Sequence, residues 1–202
     1  MAISADPLNL VITGVGGQGN ILLSGMLGGA FMKKGYYVTI GETFGAAQRG
    51  GAVFSTVRVS KKREYGPIMP DGKAHLILGL EPLETLRLVE KYGNADTVCL
   101  SNTYPIVPAG VSSNQDTYPD MDELKKAVED LCGKAYFIDA TSIALDIKAP
   151  IAINIVMVGA LLGAKQLPLD EEDIKTELRA SLPPDRLDIN FEALARGMKA
   201  VA

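Results

Sequence analysis

Tryptophan is absent from this 202-residue chain, histidine occurs once and cysteine only twice. Two cysteines cannot supply the four thiolates of an iron-sulfur cluster, so such a centre cannot be built by this chain alone. Cys99 and Cys132 each lie in an apolar run and read as small buried hydrophobes rather than as a disulfide or a redox pair, which suits a reducing cytoplasm. No charge of one sign dominates. With 20 basic against 24 acidic residues the net charge is -4, which leaves no electrostatic footprint for nucleic acid or an anionic membrane surface. The chain opens without a basic, then apolar, leader pattern, and no run approaches the ~18 uninterrupted apolar residues of a membrane span. The longest apolar stretch, residues 151–164, is interrupted by Asn154 and reads as a buried helix.

What is present is an ordinary globular composition, 47% hydrophobic and 22% charged with 21 glycines. The length suits one domain over residues 1–202. Residues 9–13 form a short β-branched apolar run, followed at once by Gly14-Val15-Gly16-Gly17-Gln18-Gly19 and then by helical apolar spacing at Ile21, Leu22, Leu27, Ala30 and Phe31. Lys33, Lys34 and Gly35 supply last-turn cations and a stop, and residues 36–40 read as the next strand. Strand, crossover helix and strand in this compass predict a βαβ unit with parallel strands. Further strands are predicted over 52–60, 75–80, 97–100 and 135–139, with helices opening at Glu81-Pro82, spanning 120–131, 151–163 and 169–180, and closing the chain. Residues 101–119, rich in Pro, Ser and Asn, read as a surface excursion. The alternation predicts an α/β fold: a doubly wound, mostly parallel, Rossmann-like sheet with helices on both faces.

Gly14, Gly16 and Gly19 satisfy G-x-G-x-x-G directly after a strand, and Glu42 ends the next strand 23 positions after Gly19. A dinucleotide site has that layout, with amides at the helix N-terminus for a pyrophosphate and an acid for a ribose. The same glycines also serve any tight strand-to-helix turn that packs closely, so a free-standing NAD- or FAD-binding protein and a purely structural turn both stand at this level. An adenylating fold of the ubiquitin-activating type opens similarly, but it usually carries zinc cysteines, which two lone Cys do not provide.

The glycine turn is followed in order by Gly45-Ala46-Ala47-Gln48-Arg49-Gly50-Gly51, Pro67-Ile68-Met69-Pro70, Leu80-Glu81-Pro82-Leu83-Glu84, Asn102-Thr103-Tyr104-Pro105-Ile106-Val107-Pro108 and the run from Asn154 to Ala160. Together these resemble the gamma-type domain of pyruvate/2-oxoacid:ferredoxin oxidoreductases over residues 9–200, and the Q-R-G-G and N-T-x-P-I-V-P forms look most like its indolepyruvate branch. The resemblance implies a small subunit of an enzyme that decarboxylates a 2-oxoacid on thiamine diphosphate, passes electrons through [4Fe-4S] clusters to ferredoxin and gives the acyl group to coenzyme A. This sequence lacks a G-D-G metal and diphosphate motif and a C-x₂-C-x₂-C-x₃-C run, so the resemblance places thiamine diphosphate, Mg²⁺ and the clusters in a larger partner subunit, with no cofactor bound by this chain alone. What it implies here is assembly, support of the active-site cleft and contact with coenzyme A. A regulatory or purely structural interaction protein is the third class to be separated from these.

The residues that the resemblance nominates for such contacts are Gly14, Gly16, Gly17, Gln18, Gly19, Glu42, Gln48, Arg49 and Gly50. Arg49, flanked by Gln48 and glycines, offers a guanidinium fork to a phosphate or carboxylate, or else pairs with an acid at an interface. Glu42 takes a ribose on the nucleotide reading and ties down the 41–51 segment on the family reading. Gln18 either bridges the glycine turn to a neighbouring loop or subunit, or caps the helix. His75 at a strand start is read as structural, Asn154 as hydrogen-bonded to a loop or to the partner, and Gly159, Ala160, Gly163 and Ala164 as a face that admits a second helix.

Overall fold

Every residue of the first strand, Leu8–Val15 (β1), is buried, as expected of a strand covered on both faces. In the computed structural model, which describes residues 5–43, 51–106 and 118–201, it lies inside a six-stranded sheet of order β2-β3-β1-β4-β5-β6. The other strands are Tyr37–Glu42 (β2), Ala52–Ser60 (β3), Leu76–Gly79 (β4), Val98–Asn102 (β5) and Lys134–Ile138 (β6). β1, β4, β5 and β6 pair in parallel. The helices are Asn20–Lys33 (α1), Pro82–Tyr92 (α2), Met121–Leu131 (α3), Ala140–Asp146 (α4), Ile153–Gly163 (α5), Glu171–Ser181 (α6) and Leu187–Lys199 (α7). α1 and α4 to α7 cover one face around Leu10, Ile12, Phe31, Leu78 and Ile155. α2 and α3 cover the other around Val11, Ile77, Leu88, Cys99 and Val128.

The doubly wound α/β architecture is as the sequence predicts, with one change to the first unit. β1 and β2 run in the same direction but are not neighbours, because β3 lies between them antiparallel to both, from Leu8 opposite Val59 to Val15 opposite Ala52. Periodicity identifies a strand but carries no label for its partner, since ladder bonds join residues far apart in sequence. α4 is a second difference. The sequence reading passes from the strand at 135–139 to the helix at 151, whereas Asp139 accepts from the backbone N–H of Ser142 at 2.9 Å and starts a short helix between them.

α1 ends as expected. Gly35 takes φ +79°, donates to the carbonyl of Met32, and leaves Lys33 and Lys34 to meet Glu177 at 2.7 Å and Asp173 at 2.6 Å on α6. His75 is structural: its Nδ1 accepts from the backbone N–H of Asn9 at 3.0 Å, and burial lowers its pKa. Cys99 is wholly buried as expected, but Cys132 is only partly buried.

The small-residue face of α5 meets α7 backbone to backbone. A Cβ on Gly159 would run into the carbonyl oxygen of Leu194, one on Gly163 into that of Met198, and one on Gly197 into that of Val156. Alanine improves helix propensity by about 1 kcal/mol over glycine, but overpacking a closed contact costs about 1–3 kcal/mol and here the obstacle is backbone. Gly159→Ala is therefore expected to lower the urea midpoint of unfolding with the slope unchanged, and an equal or higher midpoint would show that the α5–α7 contact is loose.

Candidate functional site

The site begins with a topological fact. β1 and β4 are parallel neighbours, yet the helices that follow them, α1 and α2, lie on opposite faces of the sheet. The chain therefore diverges at their carboxyl ends, and a crevice is left where α/β sheets commonly bind ligands. The glycine turn stands at its mouth.

Gln18 spans this crevice. Its Oε1 accepts from the N–H of Val15 at 2.6 Å and its Nε2 donates to the carbonyl of Leu80, just past β4, at 3.0 Å. Gly14 makes room for it, since a Cβ there would lie 2.5 Å from Gln18 Oε1. Gly17 and Gly19 adopt φ +103° and +92°, in the left-handed region that side chains disfavour. Gly16 donates to the carbonyl of Gly51 at 2.8 Å, and Gln18 N–H to that of Val15 at 3.1 Å. The amides of Val15, Gly16 and Gln18 are thus spent within the protein, which leaves a poorer cradle for a pyrophosphate than the motif alone suggests. Gln18 is a bridge, as one reading of it held, and not a cap: the N-cap of α1 is Gly19, with no side-chain cap bond.

The carbonyl of Leu80 also accepts from Asn102 Nδ2 at 3.3 Å; the same nitrogen donates to Thr141 Oγ1 at 3.2 Å while Asn102 Oδ1 accepts from the N–H of Ala140 at 3.2 Å. One buried asparagine thereby ties the carboxyl ends of β4, β5 and β6. Asn20 does likewise for β1 and β3, donating to the carbonyls of Ile12 and Val53 at 3.2 Å each. Glu42 accepts from Ser24 Oγ on α1 at 2.8 Å, so this carboxylate is bound to the helix, and Thr43 exchanges hydrogen bonds with Phe54 to fix the start of the 41–51 segment. Gln48, Arg49 and Gly50 lie outside the described residues.

Two acids at the start of α2, Glu81 and Glu84, are buried. Glu81 Oε2 accepts from the N–H of Glu84, while Oε1 accepts from Tyr118 Oη and from the N–H of Ile106. Glu84 is 1% exposed, accepts from Arg87 at 2.7 Å through Oε1, and at Oε2 has no partner among the described residues. Burial pushes both carboxyls above their ordinary values, with hydrogen bonds opposing it at Glu81 and Arg87 opposing it at Glu84. The signal that could have marked them is the Glu-Pro-Leu-Glu run directly after an apolar strand. Asn154 bonds more locally than expected: Oδ1 accepts from the next N–H, of Ile155, at 2.8 Å, and Nδ2 abuts Gly19, where a Cβ would come within 2.6 Å.

Clefts flank the turn. One of about 250 Å³ is lined by Gly16, Gly17, Gly19, Asn20, Thr43 and Phe54. One of about 210 Å³ lies between Gln18, Leu80, Ile106, Pro150, Ile151 and Asn154, and a third of about 340 Å³ adjoins it along Leu22, Ile151, Arg186 and Ile189. Their rims are apolar and open: Ile151 is 89% exposed, and Ile21 and Leu22 are exposed as well. An iron-sulfur cluster needs four thiolates, more than this chain holds. The sequence has two cysteines, and no three His, Cys, Asp or Glu side chains converge among the described residues.

The chain thus combines a doubly wound sheet, a bridged glycine turn and apolar cleft rims. The chain belongs to the pyruvate ferredoxin/flavodoxin oxidoreductase family, whose model matches residues 9–200. It is 42% identical over 193 residues to indolepyruvate oxidoreductase subunit IorB of Thermococcus kodakarensis, covering 95% of each chain, and 40% identical to the subunit of that name from Pyrococcus horikoshii over the same share of each. The gamma subunit of an NADH-dependent phenylglyoxylate dehydrogenase from Aromatoleum evansii is 31% identical over 94% of this chain and 91% of its own. The fold matches pyruvate oxidoreductase subunit PORC of Thermotoga maritima with a TM-score of 0.68 over 97% of both chains at 23% identity. It also matches 31% of the 2-oxoglutarate:ferredoxin oxidoreductase chain of Magnetococcus marinus, over 98% of this chain, with a TM-score of 0.74 at 22% identity. Among the described residues no helix is long and apolar enough to cross a membrane.

The raised carboxyls of α2 make a signed prediction. A group that binds its proton more readily when folded contributes stability below its unfolded value, near pH 4.5, and loses it as pH rises through the native value. Glu84→Gln removes the ionisation, so its urea midpoint is expected to fall less than that of the wild type between about pH 4.5 and neutrality. Parallel pH curves for the two proteins would mean that the carboxyl of Glu84 ionises as freely when folded as when unfolded.

Proposed function

We propose that the chain is the small subunit of an indolepyruvate-type 2-oxoacid:ferredoxin oxidoreductase, joined to a larger subunit that carries thiamine diphosphate, Mg²⁺ and the [4Fe-4S] clusters. The observation that carries this reading is 42% identity over 95% of both chains with indolepyruvate oxidoreductase subunit IorB of Thermococcus kodakarensis. The division of labour follows from the donors: the chain offers neither cluster thiolates nor a diphosphate motif, and its exposed apolar side chains surround the crevice at the carboxyl edge of the sheet.

On this reading the crevice formed by Gly14, Gly16, Gly17, Gln18 and Gly19, with Glu42 behind it, faces the shared cleft. Gln48, Arg49 and Gly50 adjoin it in sequence, and the guanidinium of Arg49 meets a phosphate of coenzyme A or a carboxylate of the partner. Ferredoxin accepts the electrons from the large subunit, and the reaction takes place in the cytoplasm. The large subunit alone is expected to be nearly inactive, and adding this chain to restore 2-oxoacid- and coenzyme A-dependent reduction of a low-potential acceptor. Ile151→Asp, which removes an exposed apolar anchor, is expected to leave the melting temperature of the isolated chain unchanged and to weaken assembly roughly 30-fold, the equivalent of about 2 kcal/mol. Full turnover by the large subunit without this chain would instead identify a regulatory or structural protein.

The remaining alternative, a free-standing dinucleotide-binding protein, is weakened by the amides already spent in the turn and by the bond from Ser24 to Glu42. A bound nucleotide at ~100 times its Kd would stabilise the isolated chain by about 2.7 kcal/mol. No rise in melting temperature is expected with NAD(P)H or FAD at sub-millimolar concentration. A saturable rise would overturn the subunit reading.

A further inference from the structure

A single 3₁₀ turn, Pro150–Ala152, runs straight into α5, and no side chain caps the first amides of either. Amides at such an end have no partner inside the helix and carry the positive end of its dipole. Residues 148–152, Asn154 and Ile155 form one side of the cleft of about 340 Å³, so the start of the helix stands at its wall. A helix end by itself selects no ligand, but two further features of this cleft do.

The first is Asn154, which is only 8% exposed and lines both this cleft and the adjoining one of about 210 Å³. Its Oδ1 is taken by the N–H of Ile155, while its Nδ2 meets no acceptor among the described residues. A buried donor left unmatched is costly, and here the acceptor has to come from outside the chain. The second feature is charge. Lys148 and Arg186 line the cleft and none of its lining residues is an acid; Asp185 reaches Arg186 only at 3.6 Å, with both side chains exposed. The rest of the wall is apolar, formed by Leu22, Ile151, Ile155, Leu182 and Ile189.

We propose that this cleft is a binding site for a small organic carboxylate with an aryl or branched apolar body. The carboxylate accepts from Asn154 Nδ2 at the start of α5 and is neutralised by Lys148 and Arg186, and the apolar body covers the leucine and isoleucine wall. The volume falls within the range of small-molecule sites, about 300–1,000 Å³. A bare inorganic anion would leave the apolar wall wet, and a neutral apolar molecule would leave the Asn154 amide and both cations unanswered. The site is built from this chain alone, so it does not rest on the subunit reading. On that reading the large chain would close its mouth at Ile151.

Titration of the full chain, methyl-labelled at isoleucine, with 3-phenylpropionate tests this by NMR. Saturable shifts confined to Ile151, Ile155 and Ile189 are expected, with a Kd on the order of 1 mM or tighter for a ligand of this size. Acetate and inorganic phosphate lack the apolar body and 3-phenylpropanamide lacks the charge, so each is expected to bind roughly tenfold more weakly. Asn154→Leu, which removes the donor at similar volume, is expected to raise the Kd roughly tenfold, and Arg186→Gln, at an exposed position, roughly threefold. Should Asn154→Leu fail to fold, Arg186→Gln and the comparison of acid with amide decide. The proposal is overturned if 3-phenylpropionate does not saturate, if the amide binds as tightly as the acid, if Arg186→Gln and Lys148→Gln both leave the Kd unchanged, or if the shifts fall on isoleucines away from this cleft.

Discussion

The carbonyl of Leu80 is the point on which the carboxyl edge of the sheet depends. It accepts from Gln18, which reaches across from the turn after β1, and from Asn102, which reaches across from the end of β5. α1 and α2 leave on opposite faces, and the side-chain amide of Gln18 spans the gap between β1 and β4, accepting from Val15 and donating to Leu80. A buried carbonyl left without its donors would cost about 1–3 kcal/mol, so the bridge has stability as well as shape behind it. The crevice is held open at a set width and its amides are partly consumed.

In this turn of a fold suited to dinucleotides, the amides of Val15, Gly16 and Gln18 are already paired. The glycines give the turn its left-handed backbone and admit Gln18 and Asn154 at close range. Glu42, at the position of a ribose-binding acid, is bound to Ser24. Around them lie Ile21, Leu22 and Ile151, exposed apolar side chains of a kind that a partner surface would cover. Behind them α5 is almost wholly buried, and its close contact with α7 is possible only because Gly159, Gly163 and Gly197 carry no Cβ.

Glu81 links this edge to the excursion after β5. Its carboxylate caps α2 and receives both Ile106 and Tyr118, residues on either side of the undescribed 107–117 segment. A wholly buried acid is costly to ionise, and three donors offset part of that cost. Its role depends on residues 25 and 37 positions away, which is why it reads in sequence only as an ordinary acid at a helix start.

Local chemistry made much of the chain legible from its sequence. Glycines that need positive φ, a proline after a capping acid at Glu81-Pro82, lysines before Gly35 and the small-residue face of residues 159–164 each act through backbone sterics or the nearest turn, and each is visible within a few residues. The ordered motifs from the glycine turn to Asn154 likewise identified the family, because they are read along the chain. The tertiary structure alone decided that β3 lies between β1 and β2, that Gln18 and Asn102 share the carbonyl of Leu80, and that Glu81 and Glu84 are buried while Cys132 is only partly so. The shared carbonyl joins residues 62 and 22 positions apart, and burial depends on how completely water is excluded, quantities that no local pattern of residues encodes.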